Sequence, residues 1–136
     1  MKRVVYMSFI LVMATGLSFK IYAASNPSEK HEFKSTDREV NFDIERKQGE
    51  VALYLQSQVF GAYQTIEVER SEGDNAGYSV CKTIELSRIK TDGGYYATAD
   101  KFPLPAKADC YYRIRTIAKD GTVKMYPPVL LAALIR

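Results

Sequence analysis

Glu67 and Glu69 are the side chains of this 136-residue chain whose types and spacing come closest to doing chemistry. Positions i and i+2 of an extended strand point to one side, so two carboxylates there could serve one bond as acid and base. Arg113 and Arg115 repeat the spacing further along. If the two strands are neighbours, the four charges form a cross-strand ladder. Solvated ion pairing of that kind is the ordinary use of such residues on an outer face, each exposed pair contributing only about 0.2–1 kcal/mol. A nucleophile needs a base within hydrogen-bond reach. The sole histidine, His31, lies in a polar stretch with no other His and no Cys nearby, so neither Ser or Cys catalysis nor a metal site finds its second member. This reading expects no enzyme, no cofactor and no metal. The alternative is a small periplasmic enzyme, or an enzyme accessory domain, that uses the outer-face carboxylates.

The aromatic residues are the second candidate. Ten tyrosines and six phenylalanines could build a stacking surface for sugars or peptides, with Tyr95 and Tyr96, Tyr111 and Tyr126 the ones whose neighbours in alternation suggest exposure. Adjacent tyrosines on a strand face opposite ways, so one of Tyr95 and Tyr96 belongs to the core. Packing with the hydroxyl at the rim is the plainer role for such rings. The candidate surface is therefore Tyr95, Tyr111, Tyr126, Arg113, Arg115, Glu67 and Glu69.

Where these residues act is set by the amino terminus. Lys2-Arg3, an apolar run over residues 4–19 and Lys20-Ile21-Tyr22-Ala23-Ala24 match the three-part plan of a secretory signal, with Ala23/Ala24 as the cut. A membrane anchor needs about 20 uninterrupted apolar residues, and Lys20 closes the run early. Export to the periplasm or the outside is the expectation, as is the absence of a membrane span after signal removal. The formal charge of +3 resides in Lys2, Arg3 and Lys20, leaving 16 basic and 16 acidic side chains in the remainder. A nucleic-acid partner needs a basic stripe, so that class is disfavoured.

The sequence thus divides into a signal peptide at 1–23, a polar tail at 24–39 and one domain at 40–136. Within that domain, Gly49, Gly61, Gly73 to Gly77, Asp92-Gly93-Gly94, Pro103 and Pro105, Asp120-Gly121 and Pro127-Pro128 separate short runs rich in Val, Ile, Thr and Tyr. Alternation marks Val40-Phe42-Ile44, Val51-Leu53-Leu55, Ile66-Val68, Val80-Lys82-Ile84, Tyr112-Ile114 and Val123-Met125 as strands. No long 3.6-residue period with caps interrupts them. About seven strands in about a hundred residues predict an all-β, immunoglobulin-like sandwich of two antiparallel sheets. Leu53, Val68, Tyr112 and Ile114 should share its core. Asp120-Gly121 predicts a closing hairpin, Pro127-Pro128 a break or a sheet edge, and residues 129–135 an apolar end tied back onto a sheet.

Val51-Ala-Leu-Tyr-Leu, Ile66-Glu-Val-Glu-Arg-Ser-Glu-Gly, Cys110-Tyr-Tyr-Arg-Ile-Arg-Thr-Ile-Ala-Lys-Asp-Gly and Met125-Tyr-Pro-Pro-Val resemble the fibronectin type III-like modules of exported Gram-negative proteins that use type IX secretion. The resemblance covers residues 40–131. Members usually carry a Trp in the second core strand, where this chain has Leu53-Tyr54-Leu55 and no Trp at all, so its core rests on Leu and Tyr. They also usually precede a C-terminal sorting domain, whereas this chain ends at Arg136.

Two readings of the cysteines remain open. An oxidising compartment favours pairing Cys81 with Cys110. The resembled topology places them on strands flanking the 66–71 strand, about 9.5 Å apart, beyond the roughly 7 Å that a disulfide spans. The function expected from all of this is an exported, non-catalytic binding or structural module, with a protein or a cell-surface polymer as partner, touched through its loops or the edge beside Pro127-Pro128.

Overall fold

The computed structural model describes residues 30–73, 77–102 and 109–133. The expected signal peptide with its cut at Ala23/Ala24 lies outside these residues, as do the middle of the 73–77 loop and most of the Pro103/Pro105 segment. From Phe33 onward the chain forms one compact unit, Phe33–Arg136. No helix among the described residues is long and apolar enough to cross a membrane.

Among the described residues, eight strands follow in order: β1 (Asn41–Lys47), β2 (Glu50–Gln56), β3 (Tyr63–Glu72), β4 (Ser79–Glu85), β5 (Tyr95–Asp100), β6 (Cys110–Ala118), β7 (Val123–Met125) and β8 (Val129–Leu131). They make two antiparallel sheets, one ordered β1-β2-β5 and one ordered β4-β3-β6-β7, with β8 also paired to β6. The protein is an all-β two-sheet sandwich, compatible with an immunoglobulin-like or fibronectin type III-like fold. Alternation built it: Val51, Leu53 and Leu55 of β2 face Ile66 and Val68 of β3 and Tyr112 and Ile114 of β6, and all seven are fully buried. Among the described residues, Tyr112 is the largest fully buried side chain.

Three features depart from the alternation. Val80 does not share a side with Ile84, because the β3–β4 register shifts between Val68 and Glu69: Val68 lies opposite Lys82 and Glu69 opposite Val80. The extra residue, Cys81, forms a bulge that turns Val80 outward, where it is exposed. Val123 and Met125 alternate but lie opposite Ile117 and Arg115, on the outer face, and both are exposed. Strand β5 was not among the alternating runs, since Tyr-Tyr-Ala-Thr-Ala-Asp carries too little aliphatic signal; its pairing with β2 supplies the order.

β6 and β7 form the expected hairpin. Gly121 takes φ 91°, a region that glycine enters without steric cost. The Ala118 N–H donates to the Thr122 carbonyl (2.8 Å), and Asp120 Oδ1 accepts from the Thr122 N–H (2.9 Å). That bond holds the Asp120 carboxyl below its usual range. Past Pro127-Pro128 the apolar end returns as β8, with Leu131 opposite Cys110.

Strand β2 is buried on both sides, since Ala52 and Tyr54, which point outward, are also covered. Residues 33–39, read from sequence as part of a polar tail, belong to the compact unit and run against this outward face. The Lys34 N–H donates to Asp43 Oδ2 (3.1 Å), the Arg38 N–H donates to Asn41 Oδ1 (3.2 Å), and Phe33 meets Tyr95 edge to face at 6.3 Å.

Candidate functional site

Three places concentrate polar chemistry: the outer face of the larger sheet, a cluster between the sheets, and a groove at one end.

On the outer face, antiparallel pairing sets Glu67 opposite Arg115 and Glu69 opposite Arg113. Arg113 Nε donates to Glu69 Oε1 (2.7 Å) and Arg115 Nε to Glu67 Oε1 (2.8 Å). The Arg113 guanidinium also lies 3.8 Å over the Tyr78 ring. This cap corrects the expectation that Glu69 is a surface residue: guanidinium and ring cover it, and its side chain is 11 % exposed. Each carboxylate accepts the Nε–H of its arginine, so a lone pair it would offer as a base is already engaged. The Glu67/Glu69 pair is therefore occupied as an ion-pair ladder, and acid/base work by it is not what this geometry favours.

The candidate tyrosines separate. Tyr111 is half-buried on the outer face opposite Ser71 and Leu130. Tyr95 is half-buried at the far edge of the smaller sheet, against Phe33. Tyr126 is not a surface residue at all, being 4 % exposed within the core. Its N–H donates to the Ile114 carbonyl (3.0 Å), and the prolines that follow lead the chain back along β6, which tucks the ring inside. Tyr95, Tyr111 and Tyr126 thus form no common platform.

Both cysteines are free. Cys81 on β4 and Cys110 on β6 lie on either side of β3, so two interstrand spacings separate them, as the sandwich topology requires. Burial pushes the Cys81 thiol up to about 12, with the charge of Asp100 adding to it; burial raises Cys110 also. A thiol so raised is a poor nucleophile. Denatured, unreduced protein is expected to titrate two thiols per chain. In the folded protein at pH 8, the thiolate fraction of Cys81 should be lower by a factor on the order of 10³ than that of a thiol at the ordinary 9.0, which disulfide-exchange kinetics will read. The sign for stability follows: the unfolded thiol ionises near 9.0 and the folded one near 12, so this contribution is full below pH 9 and is lost as pH rises through 12. Denaturation midpoints measured from pH 8 upward should therefore fall, and a flat profile would contradict this burial.

The cluster between the sheets escaped sequence reading. Arg70 of β3 follows Ile66 and Val68 on the inward side, and Asp100 of β5 points inward from the other sheet. Arg70 Nη1 bonds Asp100 Oδ2, the Tyr112 hydroxyl donates to the same oxygen (2.8 Å), and Phe102 lies 3.7 Å from the Arg70 guanidinium. Side-chain exposure is 15 % for Arg70 and 9 % for Asp100. Burial raises the Tyr112 hydroxyl well above its usual range, with the Asp100 bond adding. The available signal was a charge at an inward-facing strand position, which calls for a buried counter-ion. Its partner lay in the strand the alternation did not reveal.

The third place is a groove of about 550 Å³ between residues 36–39, which precede β1, and residues 56–59, the last residue of β2 and the three after it. Tyr95 and Ser57 position its second wall. Gly93 and Gly94 make the turn into β5 with φ 60° and 83°, and the Ser57 N–H donates to the Gly94 carbonyl (2.8 Å). A Cβ on Gly94 would stand 2.3 Å from the Ser57 carbonyl oxygen, so only glycine fits there. Among the described residues, no group of three or more His, Cys, Asp or Glu side chains could hold a metal.

No protein family and no curated protein matches this sequence. Solved structures do resemble it. A crystal structure of a pectate lyase from Pectobacterium carotovorum with two monomers in the asymmetric unit superposes with TM-score 0.53 and 17 % identity, covering 70 % of this chain and 27 % of that one. A second crystal structure of the lyase, with one monomer, gives TM-score 0.54 and 16 % identity over the same shares. This chain therefore spans about a quarter of the length of those enzymes. The expectation of a non-catalytic binding or structural module is corrected by this finding: a sandwich of this shape is built into an enzyme chain, so the architecture does not set the protein apart from enzymes. What the likeness shows is the fold, a two-sheet antiparallel sandwich that superposes on part of a pectate lyase chain.

Proposed function

We propose that this chain is an enzyme-associated β-sandwich domain, working as a unit of, or beside, an enzyme that cleaves an acidic polysaccharide of the pectate type. The observation that carries the reading is the shared architecture over 70 % of this chain with about a quarter of a pectate lyase chain. A fold hosts many functions, so the ion-paired Glu67 and Glu69 are given no catalytic role. The secretory pattern of residues 1–23 supports a place outside the cytoplasm, where such polymers are met. The segments around Glu69-Arg70-Ser71 and Tyr111-Tyr112-Arg113 support the finer relationship to fibronectin type III-like modules of exported proteins.

Deleting the chain from the cell that makes it, then measuring pectate cleavage in envelope and medium by ultraviolet absorbance of the unsaturated products, tests the reading. Cleavage should fall on deletion and return when the purified protein is added back. Unchanged cleavage would overturn the association.

A further inference from the structure

We propose that the outer face of the larger sheet docks a second copy of this chain, sheet on sheet, about a twofold axis that runs along the strands between β3 and β6. The inference is independent of the enzyme-associated reading. Among the described residues, five large apolar side chains are exposed, and four of them, Val80, Val123, Met125 and Leu130, lie on this one face. A gathering of that kind marks an interaction surface, whereas apolar residues scattered singly do not. Arg113, stacked at 3.8 Å on Tyr78, and Tyr111 belong to the same face. The two lysines of these strands do not: Lys82 and Lys124 fall opposite Val68 and Thr116, which point inward and are buried. Arg, Tyr and Met in place of Lys is the composition of an interface.

The charge pattern selects the occupant and its orientation. The ladder sets an acidic row, Glu67 and Glu69 on β3, beside a basic row, Arg113 and Arg115 on β6. Turning a second copy over about an axis along the strands exchanges left and right, which lays the acidic row of each copy on the basic row of the other. An axis across the strands would lay acid on acid instead. In the first arrangement β4 of one copy meets β7 and β8 of the other, so Val80 of each approaches Met125 and Leu130 of the other. Arg113 engages Glu69 through Nε, which leaves the terminal nitrogens of its fork for hydrogen bonds across the interface. Net charge does not oppose the approach, because apart from Lys2, Arg3 and Lys20 the chain has 16 basic and 16 acidic side chains.

The size of the face sets the strength. Four strands, the longest facing one, β6, being 9 residues long, span roughly 19 by 30 Å. Two such faces remove on the order of 1,100 Å² from water, the lower limit for a specific interface. The dimer should therefore form in the micromolar range.

Sedimentation equilibrium of the purified protein from about 1 μM to about 1 mM, with NMR shifts followed over the same dilution, tests this. The mass should rise from one chain to two, and the shifts that change should fall on β3, β4, β6 and β7 and spare β1, β2 and β5. Met125→Lys, at an exposed position that occurs twice in the dimer, should weaken association about tenfold or more while the spectrum stays folded. Ala97→Lys, exposed on the smaller sheet, should leave association unchanged. A thiol cross-linker spanning about 10 Å, the spacing of stacked sheets, should join Val80→Cys chains to Met125→Cys chains in a mixture and join neither variant to itself. A mass of one chain throughout, an unaltered dimer in Met125→Lys, shifts centred on the smaller sheet, or cross-linking of either variant to itself alone would each overturn the proposal. A protein that stays monomeric while an oligogalacturonate shifts the outer-face amides would give the face to the polysaccharide and overturn it likewise.

Discussion

Asp100→Ala is expected to destabilise the protein by about 3–5 kcal/mol, the cost of removing one partner from a buried ion pair. The magnitude follows from what is left behind. Arg70 would keep its charge between the sheets, 15 % exposed, and the Tyr112 hydroxyl would lose the acceptor it now reaches at 2.8 Å. An unsatisfied buried hydroxyl adds about 1–3 kcal/mol when taken alone, so the loss should lie toward the upper end. Urea unfolding of the folded domain measures it. The double change Arg70→Met with Asp100→Leu should recover the part of the loss that comes from the unpaired Arg70 charge, because apolar replacement of a buried ion pair is often neutral or stabilising, while the Tyr112 hydroxyl stays without its acceptor. A loss below about 1 kcal/mol for Asp100→Ala would place the cluster in the regime of solvated surface pairs, and the tie between the sheets would not exist.

Leu53→Ala should cost about 2–5 kcal/mol, and Ile114→Ala a similar amount, since each leaves a cavity in a close-packed core. Leu53 is fully buried on the central strand of the smaller sheet and Ile114 is fully buried on the facing sheet. On the outer face, Arg115→Ala and Thr65→Ala should each change stability by about 1 kcal/mol or less; the Arg115 side chain is 36 % exposed. The contrast between faces is the test, read by equilibrium denaturation of all four variants. Because side chains alternate with period two, a register one residue out would exchange the effects of the two faces.

Much of this architecture was legible in the chain before any coordinates. Leu53, Val68, Tyr112 and Ile114 were identifiable as one core because period-two alternation is a local property that states directly which side a residue faces. Asp120-Gly121 announced its hairpin because a tight turn needs a residue at positive φ, and the apolar end after Pro127-Pro128 was bound to find cover. The Glu67/Glu69 and Arg113/Arg115 spacing foretold a ladder for any fold that made their strands neighbours. Tertiary structure decided what depends on contacts between distant segments. A bulge at Cys81 reversed Val80, and no property of residues 79–85 alone sets a register against β3. Tyr126 and Glu69 went from surface to burial through neighbours far off in sequence, β6 for the one and the Arg113–Tyr78 stack for the other. Arg70 found Asp100 only when the two sheets closed, and the groove beside Arg38 exists only because residues 36–39 and 56–59, remote in the chain, form opposite walls. Local periodicity specifies which side chains must be buried; the long-range pairing that brings two sheets together specifies which polar groups meet.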